Sequence, residues 1–229
     1  MNDQISCTAL PASNGTQLWL VDLTQDFCEA DLSQLAAWER ERASRFRFKR
    51  DEHRYVVSHL ALRQRLSQCL GMAPSSVQIR TTEHGKPFLD GHPIHFNMSH
   101  SGDWALIGTH PSQVLGVDIE VEHKVEDLVT LAQHNYTADE FAELQAAGNR
   151  QQAFFTCWTR KEACLKALGS GLSVEPVTFD AGINAEPRRV SIPIANGGQC
   201  RMSVMSLSIR PGLFGAMALV DDQDANRVF

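Results

Sequence analysis

The sequence contains no apolar run of membrane-spanning length and no cysteine pair in C-x-x-C spacing. A transmembrane helix needs about 20 consecutive apolar residues, so we expect no membrane segment. The six cysteines are scattered, which predicts reduced thiols rather than disulfides or a zinc site. The N-terminal segment also lacks the basic and apolar regions of a secretory signal. Together these absences predict a cytoplasmic protein.

Positive charge is scarce as well, with 21 Lys and Arg against 27 Asp and Glu and a formal net charge of -6. We therefore expect no general binding of nucleic acid. One stretch differs, because residues 40–54, RERASRFRFKRDEHR, are dense in arginine. In an acidic chain this predicts a local site for an anionic ligand, unless the stretch is a solvated helix face with internal ion pairs.

The order of the predicted elements repeats along the chain, which at 229 residues is long enough for one large or two small domains. Each half has the order strand, helix, helix, strand, strand, strand, and LVDL at 20–23 echoes GVDI at 116–119. We interpret this as an internal duplication that gives an α+β fold of two similar halves, residues 1–112 and 113–229. A site shared by two such halves would lie in the groove between them.

Hydrophobic periodicity and turn residues define the individual elements. The first half has predicted strands at QLWLVDL, SSVQIRTTEH, IHFNMSH and WALIGTH, and predicted helices at DLSQLAAWERERASRFRF and DEHRYVVSHLALRQRLSQCLG. The second half has predicted strands at VLGVDIEV, LSVEPVTFD, CRMSVMSLSI and LFGAMALV, and predicted helices at TADEFAELQAAG and QQAFFTCWTRKEACLKAL.

Two carboxylates lie on one face of the predicted strand that contains GVDIE. Side chains alternate along a strand, so Val117 and Ile119 point to the core while Asp118 and Glu120 point the other way. Like charges this close raise each other's pKa, and a divalent cation relieves the repulsion. Oxygen ligands favour magnesium, manganese or calcium. The alternative is that the two acids form the solvated face of an edge strand.

A second candidate lies in WTRKEACLKALGSGL, residues 158–172, where Trp158, Glu162 and Lys166 share one helix face. If this face meets the strand, Glu162 supplies a third carboxylate and Lys166 can hold a phosphate. The alternative is an exposed ion pair one helical turn apart. We expect Gly169 and Gly171 to let the chain turn close to the ligand after the helix.

Two further stretches offer groups that bind anions. FNMSHSGDW presents Ser99 and His100 at a strand end, and HGKPFL places Lys86 on a rigid turn that can aim its ammonium group. A serine hydrolase is disfavoured because the chain has no G-x-S-x-G elbow and because adjacent serine and histidine have poor geometry for a nucleophile and its base.

In this order and spacing, GKP, FNMSHSG, GVDIE and WTRKEACLKALGSGL closely resemble the 4'-phosphopantetheinyl transferase superfamily, over roughly residues 40–180. The length, the duplicated halves and the W-x-x-KEA-x-x-K form resemble its Sfp-type branch. The resemblance implies a pseudo-dimer of two α/β halves with coenzyme A in the cleft. It also implies transfer of 4'-phosphopantetheine from coenzyme A to a serine of an apo acyl or peptidyl carrier protein, with 3',5'-ADP released. Because the chain is duplicated, we expect a monomer.

The resemblance assigns a role to each acidic residue. It implies that Asp118, Glu120 and Glu162 hold Mg²⁺, for which Mn²⁺ could substitute, and that Lys166 contacts the pyrophosphate. Asp118, Glu162 and Lys166 are the expected catalytic residues. Either Glu162 or a water on the cation would accept the proton of the attacking serine.

The resemblance also implies contacts with the nucleotide part of coenzyme A. Besides Lys166, these residues are Arg42, Lys86, Ser99 and His100. Arg42 would hold the 3'-phosphate, although Arg45 and Arg54 compete for this role. Ser99 and His100 would meet the 3'-phosphate side of the ligand, and Lys86 would lie near the nucleotide.

Two other functions share some of these features. Another magnesium-dependent enzyme of nucleotides, such as a pyrophosphatase or phosphatase, would use the same carboxylates and lysine without a protein acceptor. A non-catalytic relative would bind coenzyme A or a carrier protein as a scaffold. The sequence leaves open which carrier protein, and which pathway, the chain would serve.

Overall fold

A computed structural model describes residues 4–12, 15–91, 93–169, 174–194 and 197–228. Within these ranges ten strands are formed: β1 Cys7–Leu10, β2 Gln17–Asp22, β3 Ile79–Thr81, β4 Pro87–Leu89, β5 His95–Ser101, β6 Trp104–His110, β7 Leu115–Val121, β8 Arg188–Pro193, β9 Gln199–Arg210 and β10 Leu213–Val220. Five α-helices accompany them: α1 Ala37–Ser44, α2 Lys49–Leu70, α3 Leu128–Asn135, α4 Ala138–Ala146 and α5 Arg150–Leu168. No helix in these ranges is both long enough and apolar enough to cross a membrane.

The strands form two four-stranded antiparallel sheets and one small hairpin. The first sheet has the order β1-β2-β6-β5, the second has the order β7-β10-β9-β8, and β3 pairs with β4. The order β2-β6-β5 in the first half therefore has a counterpart in β7-β10-β9 of the second half. This repetition agrees with the predicted mixed α/β fold of two similar halves, while the boundary between residues 112 and 113 stays a prediction.

Each half contains a long helix that ends at a glycine in the left-handed conformation. Gly71 closes α2 with φ 66°, and Gly169 closes α5 with φ 67°, a backbone conformation that glycine adopts without steric cost. The periodicity predicts a buried stripe of Val56, Leu60, Leu66 and Leu70 on α2; the first three are buried in the first core, and Leu70 packs against it partly buried. Gly171 lies outside the described residues, so its predicted turn has no structural counterpart here.

Helix α5 lies directly on strand β7. A Cβ atom added to Gly116 would come within 2.1 Å of the Ala163 carbonyl oxygen and 2.3 Å of the Ala167 nitrogen, so only glycine permits this approach. The close packing fixes the height of α5 above β7. As a result, side chains on one face of α5 lie near the polar side chains of the strand.

A buried acid–base pair fastens the two helices of the first half. Glu39 of α1 is fully buried and accepts hydrogen bonds from Arg63 Nε at 2.5 Å, with His59 Nδ1 at 2.8 Å. Arg63 also donates to the carbonyl oxygens of Pro74 and Val77, at 2.8 and 3.0 Å. The pair therefore connects α1, α2 and the 3-10 helix that follows α2.

The second half repeats this arrangement with different residues. Glu140 of α4 is buried and pairs with Lys161 of α5 at 2.8 Å. Lys161 donates to the carbonyl oxygen of Pro176 at 2.8 Å and to that of Phe179 at 2.5 Å. Pro176 begins the 3-10 helix that follows α5, and Phe179 comes directly after that helix. Cys157 stands one turn before Lys161, as His59 does before Arg63, and donates to Glu140 at 3.4 Å. The duplication thus extends to the buried polar groups.

Several sequence predictions were wrong in detail. The stretch DLSQLAAWERERASRFRF forms a 3-10 helix Glu29–Gln34 and then α1, because Leu35 and Ala36 are extended between them. The described part of LSVEPVTFD contains the 3-10 helix Pro176–Thr178 instead of a strand, since proline cannot donate to a strand ladder. In SSVQIRTTEH, the first two serines belong to the 3-10 helix Pro74–Ser76 and only Ile79–Thr81 is a strand. Strands β1, β4 and β8 and helix α3 were not predicted.

Candidate functional site

A cleft with a cavity volume of about 380 Å³ opens between the two halves, beside the C-terminal part of α5. Its lining combines residues of the β3–β4 turn, strand β5 and helix α5: His84, Gly85, Lys86, Pro87, Asn97, Met98, Glu162, Leu165, Lys166 and Gly169. Since β5 belongs to the first half and α5 to the second, both halves contribute to the cleft.

Asp118 of β7 lies at the base of this region and is buried. Its Oδ1 accepts hydrogen bonds from Ser99 Oγ at 2.8 Å and from Lys166 Nζ at 2.5 Å. Lys166 also donates to Ser99 Oγ at 2.7 Å. Burial raises the pKa of the Asp118 carboxyl, and the charge of Lys166 opposes this shift. Its Oδ2 is buried with no hydrogen-bond partner among the described residues.

Glu120 and Glu162 are close enough to Asp118 to feel its charge. Ser101 Oγ donates to Glu120 Oε2 at 2.6 Å, and Glu162 projects from α5 as a partly buried side chain. Burial is the main cause that raises the pKa of both glutamates, and the charge of Asp118 adds to it in each case. Glu120 also raises the pKa of Glu162. The structure therefore brings the three predicted carboxylates into one electrostatic environment.

The chemistry of these groups fits a hard divalent cation. All three side chains would offer carboxylate oxygens to the cation. The buried Oδ2 of Asp118 has no hydrogen-bond partner among the described residues, so it would be available as a ligand. In the part of the chain that the structure describes, no group of three or more His, Cys, Asp or Glu side chains is arranged to hold a metal ion. The ammonium group of Lys166 occupies the Oδ1 side of Asp118 instead.

Ser99 and His100 point to different places. Strand alternation turns Ser99 toward Asp118 and Lys166, and turns the imidazole of His100 away from them. His100 lines a second cavity of about 230 Å³, together with Phe46, Asp51, Arg54, Tyr55 and Gly102. Desolvation by the surrounding protein lowers the pKa of His100, and the positive charges of Lys166, His59 and Arg54 lower it further. A role for both residues in ligand binding stays a prediction.

Lys86 is buried beneath the end of α5. Its Nζ donates to the carbonyl oxygen of Ala167, and burial lowers its pKa to about 7. A Cβ atom on Gly169 would lie 2.6 Å from Lys86 Cδ, so glycine is needed here for packing as well as for φ. Lys86 thus lines the cleft and also binds the last turn of α5, while its contact with a nucleotide stays a prediction.

The three candidate arginines have different surroundings. Arg42 is exposed, and its guanidinium lies 5.7 Å from the centre of the Tyr55 ring. Arg45 is exposed and pairs with Glu41. Arg54 lines the His100 cavity and is oriented by Asp103, whose Oδ1 accepts from Arg54 Nε at 2.9 Å. The structure therefore places Arg54 in this cavity and Arg42 next to one of its walls.

Sequence reasoning missed two polar residues that contact β7. Asn97 Oδ1 accepts from the Val117 nitrogen at 2.9 Å, and Ser101 contacts both Glu120 and the Val121 nitrogen. The signal was present in FNMSHS, where polar residues occupy every second position, 97, 99 and 101. Only the neighbouring strand could show what this polar face contacts.

Comparison with known families agrees with this geometry. Residues 22–112 match the family model described as 4'-phosphopantetheinyl transferase, N-terminal, and residues 114–201 match that of the 4'-phosphopantetheinyl transferase superfamily. The first match ends and the second begins between β6 and β7, and the second match ends within β9.

Individual proteins are similar as well. The phosphopantetheinyl transferase of Thraustochytrium sp. is 35% identical over 167 residues, which are 66% of this chain and only 57% of that longer protein. The 4'-phosphopantetheinyl transferase Sfp of Bacillus subtilis is 30% identical over 167 residues, which are 72% of this chain and 73% of Sfp. Among solved structures, holo-[acyl-carrier-protein] synthase of Thermotoga maritima aligns with 17% identity and a TM-score of 0.34, over 48% of this chain and 64% of that one.

Proposed function

Since the chain belongs to the 4'-phosphopantetheinyl transferase superfamily, we propose that it transfers 4'-phosphopantetheine from coenzyme A to a serine of an apo acyl or peptidyl carrier protein. The carrier would become the holo form, and 3',5'-ADP would leave. The observation that supports this most directly is the meeting of Asp118, Glu120, Glu162 and Lys166 beside a cleft between the two halves.

The acidic residues would act on the pyrophosphate of coenzyme A. We assign Asp118, Glu120 and Glu162 as the residues that would hold Mg²⁺, or Mn²⁺, which when bound would neutralise charge on the pyrophosphate oxygens. Lys166 lines the cleft, and its ammonium group would hold a pyrophosphate oxygen. Ser99 keeps Lys166 and Asp118 together by bonding to both.

Either a water on the cation or Glu162 would accept the proton of the attacking serine. Glu162 lines the cleft, and burial with the neighbouring carboxylates raises its pKa. The serine oxygen would then form its bond to the β-phosphorus while the bond from that phosphorus to the 3',5'-ADP oxygen breaks.

The nucleotide part of coenzyme A would extend toward the first half. Arg54 lines the smaller cavity and Arg42 lies next to Tyr55, so two guanidinium groups would be available to a 3'-phosphate, and the imidazole of His100 could add a hydrogen bond. Lys86 lines the cleft, and we propose that it would lie near the nucleotide. This arrangement would give the arginine-rich stretch, residues 40–54, a role in binding an anionic ligand.

We further propose that the protein acts as a cytoplasmic monomer without nucleic acid or membrane partners. The two halves of one chain already supply both sides of the cleft, so a second copy is not needed to complete it. All six cysteines are free thiols, which suits a reducing compartment.

The direct test is an intact-mass assay with the purified chain, coenzyme A, Mg²⁺ and a panel of apo carrier proteins. We expect a carrier to gain one phosphopantetheine mass, with one 3',5'-ADP released for each carrier modified. A carrier whose acceptor serine is replaced by alanine, and a reaction with EDTA, serve as controls. Cleavage of coenzyme A without any carrier would instead indicate a pyrophosphatase. Binding of coenzyme A or carrier without any product would indicate a scaffold.

A further inference from the structure

Strand β5 contacts strand β7 through side chains on one of its faces. Asn97 Oδ1 accepts from the Val117 nitrogen at 2.9 Å, and Ser101 Oγ accepts from the Val121 nitrogen at 3.1 Å. Both contacts join residues that are twenty positions apart, so the two edge strands run parallel at this point. Side chains thereby join the sheets of the two halves where β5 meets β7.

The hydrogen-bonding capacity of Ser101 fixes the direction of its hydroxyl hydrogen. A serine hydroxyl has one donor and two acceptor lone pairs. Ser101 Oγ accepts from the Val121 nitrogen, and its hydrogen points to Glu120 Oε2 at 2.6 Å. The backbone of β7 therefore orients the hydroxyl that binds the carboxylate of the same strand.

Ser99 and Ser101 make parallel contacts two residues apart. Ser99 donates to Asp118 and Ser101 donates to Glu120, so each serine of β5 holds one carboxylate of β7. Asp118 has the additional contact with Lys166, whereas Glu120 is held by Ser101. A carboxylate held through one oxygen keeps its second oxygen for a ligand.

We propose that Ser101 is a positioning residue that holds Glu120 in the orientation required for cation binding, and that it does so from the opposite half of the molecule. The inference rests on the proposed function only in its choice of ligand. Groups that hydrogen-bond to metal ligands commonly change metal affinity by about 10- to 100-fold when removed. Ser101 has this relation to Glu120, although its place in FNMSHSG does not by itself show which group it contacts.

The test compares Ser101→Ala, Ser101→Cys and Ser101→Thr in the full-length chain. Mn²⁺ binding would be followed by electron paramagnetic resonance with coenzyme A present. We expect Ser101→Ala to weaken Mn²⁺ binding about 10-fold or more, Ser101→Cys to be intermediate, and Ser101→Thr, which keeps the hydroxyl, to restore wild-type binding. If Ser101→Ala does not fold, the cysteine and threonine variants provide the comparison.

Ser191→Ala is the matched control. Ser191 is an exposed strand serine that donates to Gln199 at 3.0 Å, in the same half as Glu120 and outside the cleft lining. We expect its loss to leave Mn²⁺ binding unchanged. Thermal unfolding of all variants would separate a loss of cation binding from a loss of fold.

The outcomes distinguish the inference from the proposed function. Wild-type Mn²⁺ affinity in folded Ser101→Ala, or failure of Ser101→Thr to restore it, would overturn the positioning role. Absence of Mn²⁺ binding by the wild-type chain would overturn both the cation assignment and the inference. Binding of Mn²⁺ that depends on Ser101, in a chain that modifies no carrier, would support the inference and overturn the proposed function.

Discussion

The two halves share a scaffold, but corresponding positions have different tasks. The residue after Arg63 is Gln64, which accepts from the Ile5 nitrogen at 2.8 Å and donates to Gln34 at 3.0 Å. The residue after Lys161 is Glu162, which lines the cleft. Gln64 thus stabilises the first half through these hydrogen bonds, whereas the second half presents a carboxylate at the equivalent position.

Strands β2 and β7, which hold equivalent places in the two sheets, show the same contrast. Asp22 at the end of β2 accepts from the nitrogen and the hydroxyl of Thr24, whereas Asp118 of β7 bonds to Ser99 and Lys166. Strand β1 covers the outer edge of β2, while the corresponding edge of β7 faces β5 and the cleft. Duplication thus supplied two similar scaffolds, and the neighbour of the edge strand decides which copy can hold a ligand.

The largest expected effect comes from exchanging the two equivalent aspartates for alanine. Asp118→Ala should reduce transfer at least about 1,000-fold, because it removes a carboxylate beside the pyrophosphate and the partner of Lys166. Asp22→Ala should leave the transfer rate nearly unchanged and cost about 1 kcal/mol of stability, from its local hydrogen bonds. Rates and urea unfolding of both variants would measure this. Wild-type turnover by folded Asp118→Ala would refute the assignment of the site.

Breaking the buried pairs should affect stability in both halves. Arg63→Met leaves Glu39 without its guanidinium partner, and Lys161→Met leaves Glu140 without its ammonium partner. Loss of one partner from a buried pair typically costs about 3–5 kcal/mol, so we expect a loss of this size for each. Chemical denaturation would test it. A much smaller loss in one half would show that the two arrangements are not energetically equivalent.

The paired positions Gln64 and Glu162 give a reciprocal test. Glu162→Gln should lower transfer about 100-fold through loss of its base and ligand character, with little change in unfolding free energy. Gln64→Glu should instead destabilise the fold by at least about 2 kcal/mol, because it buries a carboxylate where an amide donates to Gln34. Steady-state rates and denaturation would be measured side by side. Equal stability losses would argue against the difference in task.

The arginines of the first half should affect substrate binding more than chemistry. Arg42→Ala is expected to raise the KM for coenzyme A about 10-fold and to spare dephospho-coenzyme A, which lacks the 3'-phosphate. Arg45→Ala is the matched control, since Arg45 is exposed and pairs with Glu41. Equal weakening of Arg42→Ala for both ligands would contradict a 3'-phosphate contact.

Acidification should lower stability by weakening both buried pairs, and this loss should be smaller than that caused by removing either basic partner. Burial alone would raise the pKa of Glu39 and Glu140. For Glu39 this is outweighed by His59, Arg63 and a backbone hydrogen bond, and for Glu140 by Lys161 and backbone hydrogen bonds, so both pKa values lie below 4.5. The stability that these carboxylates contribute is present above their unfolded pKa and is lost as pH falls through the lower pKa of the folded state. Glu140→Gln should flatten this acid dependence, as followed by thermal unfolding from pH 6 to pH 3. An unchanged acid dependence in that variant would show that Glu140 does not contribute to it.

Prediction from sequence succeeded where the signal was local. The α2 helix, most of its buried stripe and its end at Gly71 followed from periodicity and from glycine. Prediction failed for β1 and β8, which are edge strands with weak hydrophobic patterns and depend on pairing with a neighbouring strand. It also failed after α5, where Pro176 begins a 3-10 helix in a segment predicted as a strand. The carboxylates could be named from their spacing, but not their hydrogen-bond partners.

The sequence by itself determined the repeated order of elements and the face on which each acid lies, because strand and helix periods are local properties of the backbone. Only the tertiary structure decided that Ser99 donates to Asp118, that Ser101 donates to Glu120 and that Lys86 donates to the end of α5. These contacts join residues 19 to 81 positions apart. They depend on how β5, β7 and α5 pack, since packing sets the distances over which hydrogen bonds and charges act.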